Sequence, residues 1–315
     1  MGNLIVNEFV KIFKRKSTYA MFLFLILIVV GGGFLTKYLN SLNEPVSQDN
    51  WKEELAKETE QMKKDLEGMP ASMRAAFEDE IAINEYRIAH DLPPSDYNMW
   101  SFIGDSGTYI TIVGLFVIIV AAGIVANEFS WGTIKSLIIK PYKRWKILLA
   151  KYVMVLLFML IVLALLFISA VAVGAVLFGP GDGGSQIHLS YANGKVVEQS
   201  QLLYLAKSYL LNSVGVLLLA TMAFMISTIF RSSGTAIGIS VFLLLAGDTI
   251  TSFFAMKFDW AKYILFANTN LMAYLEGKPM VEGMTMGFSI TMLIIYFIVF
   301  QVLAFLFFTK RDVSN

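Results

Sequence analysis

The 315 residues include no cysteine and only two histidines, His90 and His188. Without cysteine there is no disulfide framework, no thiolate metal site and no thiol nucleophile. The two histidines lie far apart in polar stretches with no acid cluster beside them. They read as surface residues, not as a metal site. The common catalytic signatures are missing as well: no G-x-x-x-x-G-K-[ST] phosphate cradle, no H-E-x-x-H, no G-x-S-x-G and no paired acids within an apolar run. If the protein performs work, the energy comes from elsewhere, and a partner ATPase is the simplest source. Charge is scarce too. Charged residues make up 16% of the chain and hydrophobic residues 57%, whereas soluble domains are about one-quarter charged. The net charge of +1 says less than its distribution.

What is present is a series of membrane-length apolar runs. Six spans are expected, at residues 19–39, 108–127, 152–178, 203–230, 235–256 and 285–308, each close to the ~20 residues that cross a ~30 Å hydrocarbon layer. Residues 1–18 precede them. Leu4, Ile5, Phe9, Ile12 and Phe13 fall there at helical spacing beside Lys11, Lys14, Arg15 and Lys16. This predicts an amphipathic helix along an interface, its basic side toward lipid headgroups. The first span is long for a secretory signal and lacks a small-x-small cleavage site, so it reads as an uncleaved anchor. Its Gly31-Gly32-Gly33 has no strand before it and no Lys-Ser/Thr after it. Close helix packing explains it better than phosphate binding.

Residues 40–107 change character, with fourteen acids against six bases between Glu44 and Asp96. Trp51, Leu55, Met62 and Leu66 form one helical stripe and Met73, Phe77, Ile81 and Ile88 another, separated by the breaker Gly68-Met69-Pro70. A helical hairpin outside the membrane is expected, serving as a cap over the exit of a pathway, as a surface for a cationic partner or as a solvated spacer. Residues 179–202 hold an alternating stretch around Asn193-Gly194, a β-hairpin signal. Residues 231–234 form a tight turn containing Arg231, residues 257–284 read as short interfacial helices with aromatic anchors, and residues 309–315 as a basic tail. Asp248, in the fifth span, is the one acid alone in an apolar run. It either belongs to a substrate path or bonds a neighbouring helix, since a lone carboxylate in lipid is expensive.

Residues 128–151 organise the rest. They read EFSWGTIKSLIIKPYKRWKILLAK, one acid against six bases, between two runs without any charge. The positive-inside rule places such a loop on the cytoplasmic face. Basic residues at the N-terminus, at Arg231 and at Lys310-Arg311 give every inner loop the same sign, with both termini inside. Trp131, Ile134, Leu137 and Ile138 step by three and four residues, as a short amphipathic helix does, and Pro141 would stop it. The bland alternative is a basic loop that only fixes topology.

Glu128, the Gly132-Thr133 pair, Pro141, Arg144 and Lys151, at this spacing between two spans, resemble the pattern of ABC-2 type permeases, the membrane subunits of ATP-driven exporters. The resemblance covers nearly the whole chain, although only some members carry an acidic insertion after the first span. It implies an all-α membrane protein of six spans, with an N-terminal interfacial elbow helix, a cytoplasmic coupling helix and an extracytoplasmic helical insertion between spans 1 and 2. It also implies a homodimer with two separate ATPase subunits that bind ATP and Mg. This chain itself would be no enzyme, with no cofactor, no metal and no nucleic-acid partner, sitting with its lipids in a bacterial inner membrane. Trp131, Ile134, Lys135, Leu137 and Ile138 would then face the ATPase, Glu128 would restrain the end of span 2, Gly132-Thr133 would allow the sharp turn, and Pro141, Arg144 and Lys151 would lead into span 3. The substrate would be a peptide antibiotic, a drug or a lipid. Two other classes are weighed against this reading. A sensor or immunity protein would bind a cationic peptide through its acidic outer domain. A passive channel or ion-coupled carrier would need more intramembrane charge or internal repeats than the sequence holds.

Overall fold

The computed structural model describes residues 1–42, 50–66, 71–133, 142–181, 186–192, 194–275 and 279–310. Helices dominate. They are α1 (Gly2–Phe13), α2 (Lys16–Asn40), α3 (Trp51–Leu66), α4 (Ala71–His90), α5 (Met99–Asp105), α6 (Ile110–Ser130), α7 (Arg144–Phe178), α8 (Gln201–Phe230), α9 (Ser233–Ala255), α10 (Met272–Leu275) and α11 (Met286–Lys310). Short 3₁₀ turns occupy Ser106–Tyr109, Asp259–Tyr263 and Leu265–Asn268. The only sheet among the described residues is a hairpin of β1 (Ile187–Ala192) and β2 (Lys195–Ser200).

Six of the described helical segments are long and apolar enough to cross a membrane: α2, Met99–Ser130, α7, α8, α9 and α11. At about 1.5 Å per residue, the 23 residues of α9 reach roughly 35 Å, enough for the hydrocarbon layer. The spans are unequal in burial. Within the apolar windows of Met99–Ser130 and α8, 72% and 67% of residues are buried, against 11% to 22% in α2, α9 and α11. The second and fourth spans therefore form the centre, and the first, fifth and sixth form a rim. Phe242, Leu245 and Phe253 of α9 and Ile294, Ile298 and Val302 of α11 point outward. In water such faces would drive association, while in a bilayer they are the correct solvent contact.

The Gly-rich stretch of α2 packs closely at two of its three positions. A Cβ at Gly32 would strike the Tyr109 hydroxyl, and one at Gly33 would meet Val173 at 2.6 Å and Leu177 at 2.9 Å, whereas one at Gly31 would meet nothing. Close backbone approach is how membrane helices associate when lipid tails are as apolar as leucine. The expected β-hairpin is present, with Ile187 opposite Ser200, Ala192 opposite Lys195 and a left-handed Gly194 (φ +79°) at its turn. It rests on α4, which supplies the support that two strands lack alone.

One boundary differs from expectation. The sequence places residues 99–107 with the outer hairpin, whereas they belong to the bundle. Asn98 caps α5, accepting from the Trp100 amide at 2.9 Å. Phe102 and Ile103 are buried, and the Tyr209 hydroxyl of α8 donates to the Ile103 carbonyl at 2.8 Å. The Gly104-Asp105-Ser106-Gly107 run reads as a loop by composition, yet it continues helically into α6 because its neighbours are pinned on both sides.

Gly33→Leu should overpack this contact and destabilise by about 1–3 kcal/mol, seen as a clear fall in the apparent melting temperature of the purified protein in mild detergent. Gly31→Leu, on the open side of α2, should melt like the parent.

Candidate functional site

At the end of the bundle that carries both termini, a closed charge network joins three elements. In α1 the buried positions are Leu4, Glu8 and Ile12 at steps of four, so one acid sits at the centre of the face turned to the bundle. Glu128 occupies the last turn of α6 and Lys151 the second turn of α7, 5% and 0% exposed. Glu128 Oε1 pairs with Lys151 Nζ at 2.7 Å and accepts from Lys11 Nζ at 2.7 Å. The Glu8 carboxylate closes the ring, its Oε2 accepting from Lys151 at 3.0 Å and its Oε1 from Lys11 at 3.0 Å. The Lys151 ammonium also donates to the Ile124 carbonyl at 3.2 Å. Two acids and two bases make the ring neutral, the condition under which buried charges are tolerated. Lys11 was expected to face lipid headgroups. It instead turns inward, because two buried carboxylates attract it more than the interface does.

Burial alone would lower the Lys11 pKa, but hydrogen bonding and charge from Glu128, with Glu8 adding to both, outweigh it and hold the group above its ordinary 10.5. A folded-state pKa raised above the unfolded one contributes stability that is complete below the unfolded value and is lost only as pH rises through the folded one. Lys11 thus keeps its charge throughout the physiological range.

Other contacts gather the same end. Trp131 is 64% exposed, with the Arg15 guanidinium 5.5 Å from its ring centre. Gly132 takes a left-handed φ of +69°, a conformation costly for residues with a Cβ. The Thr133 hydroxyl donates to the Glu128 carbonyl at 3.4 Å, and Arg144 donates to the Thr309 carbonyl of α11 at 3.4 Å. Arg231, itself left-handed between α8 and α9, stands 4.5 Å over the Phe129 ring. Ile134, Lys135, Leu137, Ile138 and Pro141 lie outside the described residues. Just before Glu128, the Ser227 hydroxyl of α8 bonds two backbone groups of α6, donating to the Ala122 carbonyl at 2.5 Å and accepting from the Ala126 amide at 3.1 Å.

The opposite end holds two cavities. One, of about 400 Å³, lies among the start of α6, α8, α9 and the Leu265–Asn268 turn, and Asp248 lines it with Ser208, Asn212, Thr269 and Asn270. Asp248 thus faces a polar space between helices, not only lipid. The other, about 550 Å³, lies between α4, α5 and the β-hairpin and is lined by Asp79, Glu80, Arg87, Trp100, His188 and Tyr204, among others. His188 was expected to be a free surface residue. It is instead half-buried and stacked on Tyr204 at 3.5 Å. Burial pushes its pKa down, a hydrogen bond with Gln201 opposes this, and the Arg87 charge adds to the lowering.

The apolar rim, the length of the spans and the neutral buried ring define a multi-pass helical membrane protein. Comparison then places it in a family. Residues 76–314 match the family described as "Protein of unknown function (DUF2705)", and the chain belongs to that family. It is 49% identical over 317 residues to the uncharacterized protein YhcI of Bacillus subtilis (strain 168), covering the whole of both chains. It is 28% identical over 221 residues to the uncharacterized membrane protein YdbK of the same organism, covering 70% of this chain and 85% of that one.

Of the residues singled out in the sequence, the structure brings Glu128 and Lys151 into direct contact, sets Trp131, Gly132 and Thr133 at the adjacent helix end, and keeps Asp248 at the far end. Glu8, Lys11 and Ser227 were missed. Glu8 had a readable signal, the Leu4–Glu8–Ile12 spacing that puts a carboxylate in the middle of an apolar stripe. Ser227 had none, since its partner lies 105 residues away.

Lys151→Met leaves two buried carboxylates with one cation and should destabilise the protein by about 3–5 kcal/mol. Adding Glu8→Gln should restore part of the loss. Thermal unfolding of the parent, both single variants and the double variant checks this as a double-mutant cycle.

Proposed function

We propose that this chain is the permease subunit of an ABC-2 type exporter. The observation that carries the reading is the Glu128–Lys151 pair, closed by Glu8 and Lys11. It clamps the two ends of the loop between the second and third spans to each other and to the N-terminal helix. A loop that only fixed topology would not need a buried ionic clamp at its base. In this reading α1 is the cytoplasmic elbow, the segment beginning at the exposed Trp131 and the left-handed Gly132 is the coupling helix, and the α3–α4 pair is the extracytoplasmic insertion. Both termini are cytoplasmic in a bacterial plasma membrane. The bias of basic residues toward the terminal end supports this orientation, and the Bacillus relatives support the setting.

Two copies of the chain pair with two ATPase subunits that bind ATP and Mg. The chain itself catalyses nothing. Closure of the ATPases draws the coupling segments together, and the clamp passes that movement to spans 2 and 3 and to α1 as one body. Asp248 and its cavity belong to the substrate path, and the substrate is a peptide antibiotic, a drug or a lipid. A second reading, a sensor for a cationic peptide, draws on the 550 Å³ outer cavity with Asp79 and Glu80 on its wall. ATP-dependent transport in sealed vesicles separates the two.

Purification from native membranes in mild detergent through a C-terminal tag should bring down a stoichiometric partner containing a Walker A sequence. A lone oligomer with no nucleotide-binding partner sinks the exporter reading. In the reconstituted complex, Glu128→Lys and Gly132→Pro should leave the protein inserted while cutting export per ATP hydrolysed severalfold. Unchanged coupling in both would remove the proposed role of the clamp.

A further inference from the structure

Asp248 is the one acid alone within an apolar run, and among the described residues it makes no ion pair. It opens into a cavity of about 400 Å³ on whose wall, among the described residues, no basic side chain stands. The Thr269 side chain hydrogen-bonds the carboxylate, and the same cavity wall carries the carboxamides of Asn212 and Asn270 and the hydroxyls of Thr108, Thr111 and Ser208. Phe266, Leu244 and Val216 supply an apolar side. The site has built-in room. Gly247 lies flat against the Phe266 ring, where any Cβ would collide, and Gly215 brings the α8 backbone close to Thr269. The cavity size is that of small-molecule sites. A carboxylate without an ion-pair partner within an apolar span is by default a functional-site candidate.

We propose that this cavity binds a primary ammonium group carried on an amphiphilic molecule, the ammonium against Asp248 and the apolar part against Phe266. Asp248 supplies the charge, while Asn212, Asn270 and Ser208 take up the remaining N–H donors of the ammonium, which a quaternary amine lacks. The geometry selects for charge and for hydrogen-bond donation together. This rests on the exporter reading and deepens it, although binding itself needs no ATPase.

The test uses the full chain in nanodiscs of phosphatidylglycerol and phosphatidylcholine, which lack primary amines, titrated with monodansylcadaverine. This probe joins a primary ammonium to an apolar fluorophore. The parent should give a saturable fluorescence rise above that of empty discs. Asp248→Asn, isosteric and uncharged, should weaken binding by about tenfold or more, the loss expected for one charge-assisted hydrogen bond. The N-acetylated probe should show no saturable component. Gly107→Leu keeps the carboxylate but fills space in which an added Cβ meets nothing, and it should weaken binding as well. Identical size-exclusion profiles exclude misfolding as the cause. Equal binding to the parent and to Asp248→Asn, or equal binding of the acetylated probe, overturns the proposal. Adding phosphatidylethanolamine assigns the source of the ammonium: competition with the probe points to a lipid headgroup, and its absence to a soluble amine. A missing ATPase partner would leave this binding intact, and a failure of binding would leave copurification intact, so the two readings fall separately.

Discussion

The structure depends on the removal of three charges from water at one place, with a fourth, the half-buried Lys11, closing the set. Glu8, Lys11, Glu128 and Lys151 are neutral as a set, and each cation bridges both acids. A buried ionic ring of this kind is a weak source of net stability, because desolvation offsets most of the attraction. It is a strong source of specificity. Any arrangement in which α1, α6 and α7 meet in another register leaves a charge buried without a partner. The ring therefore fixes where the N-terminal helix docks and how the ends of the second and third spans sit side by side. The cation–π contact of Arg15 with Trp131 and the Arg144 bond to α11 are arranged around that fixed point.

Much of the architecture was legible because lipid simplifies the pattern. An apolar run of 20 or more residues has one stable outcome in a bilayer, so the six spans, the tight turn at Arg231 and the β-hairpin at Gly194 could be read directly. The segment at residues 99–107 could not. Its Gly, Asp and Ser content is that of a loop, and only the burial of Phe102 and Ile103 and the Tyr209 hydrogen bond hold it in the bundle. Local composition cannot express a contact supplied by a helix a hundred residues later.

The candidate site divides in the same way. Glu128 and Lys151 flank one loop, so their pairing is a nearly local property. Glu8 and Lys11 come from the far N-terminus, and their basic neighbours gave α1 the look of a helix made for headgroups. The polarity of α1 in fact serves three environments. Leu4, Glu8 and Ile12 face the bundle, while Val6, Phe9 and Val10 stay exposed as an apolar flank. Asn3 and Asn7, also exposed, form a polar flank. A two-sided picture of amphipathicity misses a carboxylate that belongs to neither water nor lipid. Asp248 is the reverse case. The sequence marks it as unusual, and only the three-dimensional arrangement surrounds it with carboxamides and hydroxyls.

The hydroxyl of Ser227 has a mechanical meaning. An α-helix holds its own axis through bonds between carbonyls and amides four residues apart, and at Ala122 and Ala126 a side chain of α8 bonds both groups. Two residues on, the Ile124 carbonyl is shared with Lys151 of α7. The final two turns of the second span are thus spliced into their neighbours at successive rungs. Such bonds tie the end of the second span to α8 and α7 at once, so its position follows theirs. Twisting the fourth span in its groove would tilt the end of the second, and with it everything that hangs from Glu128.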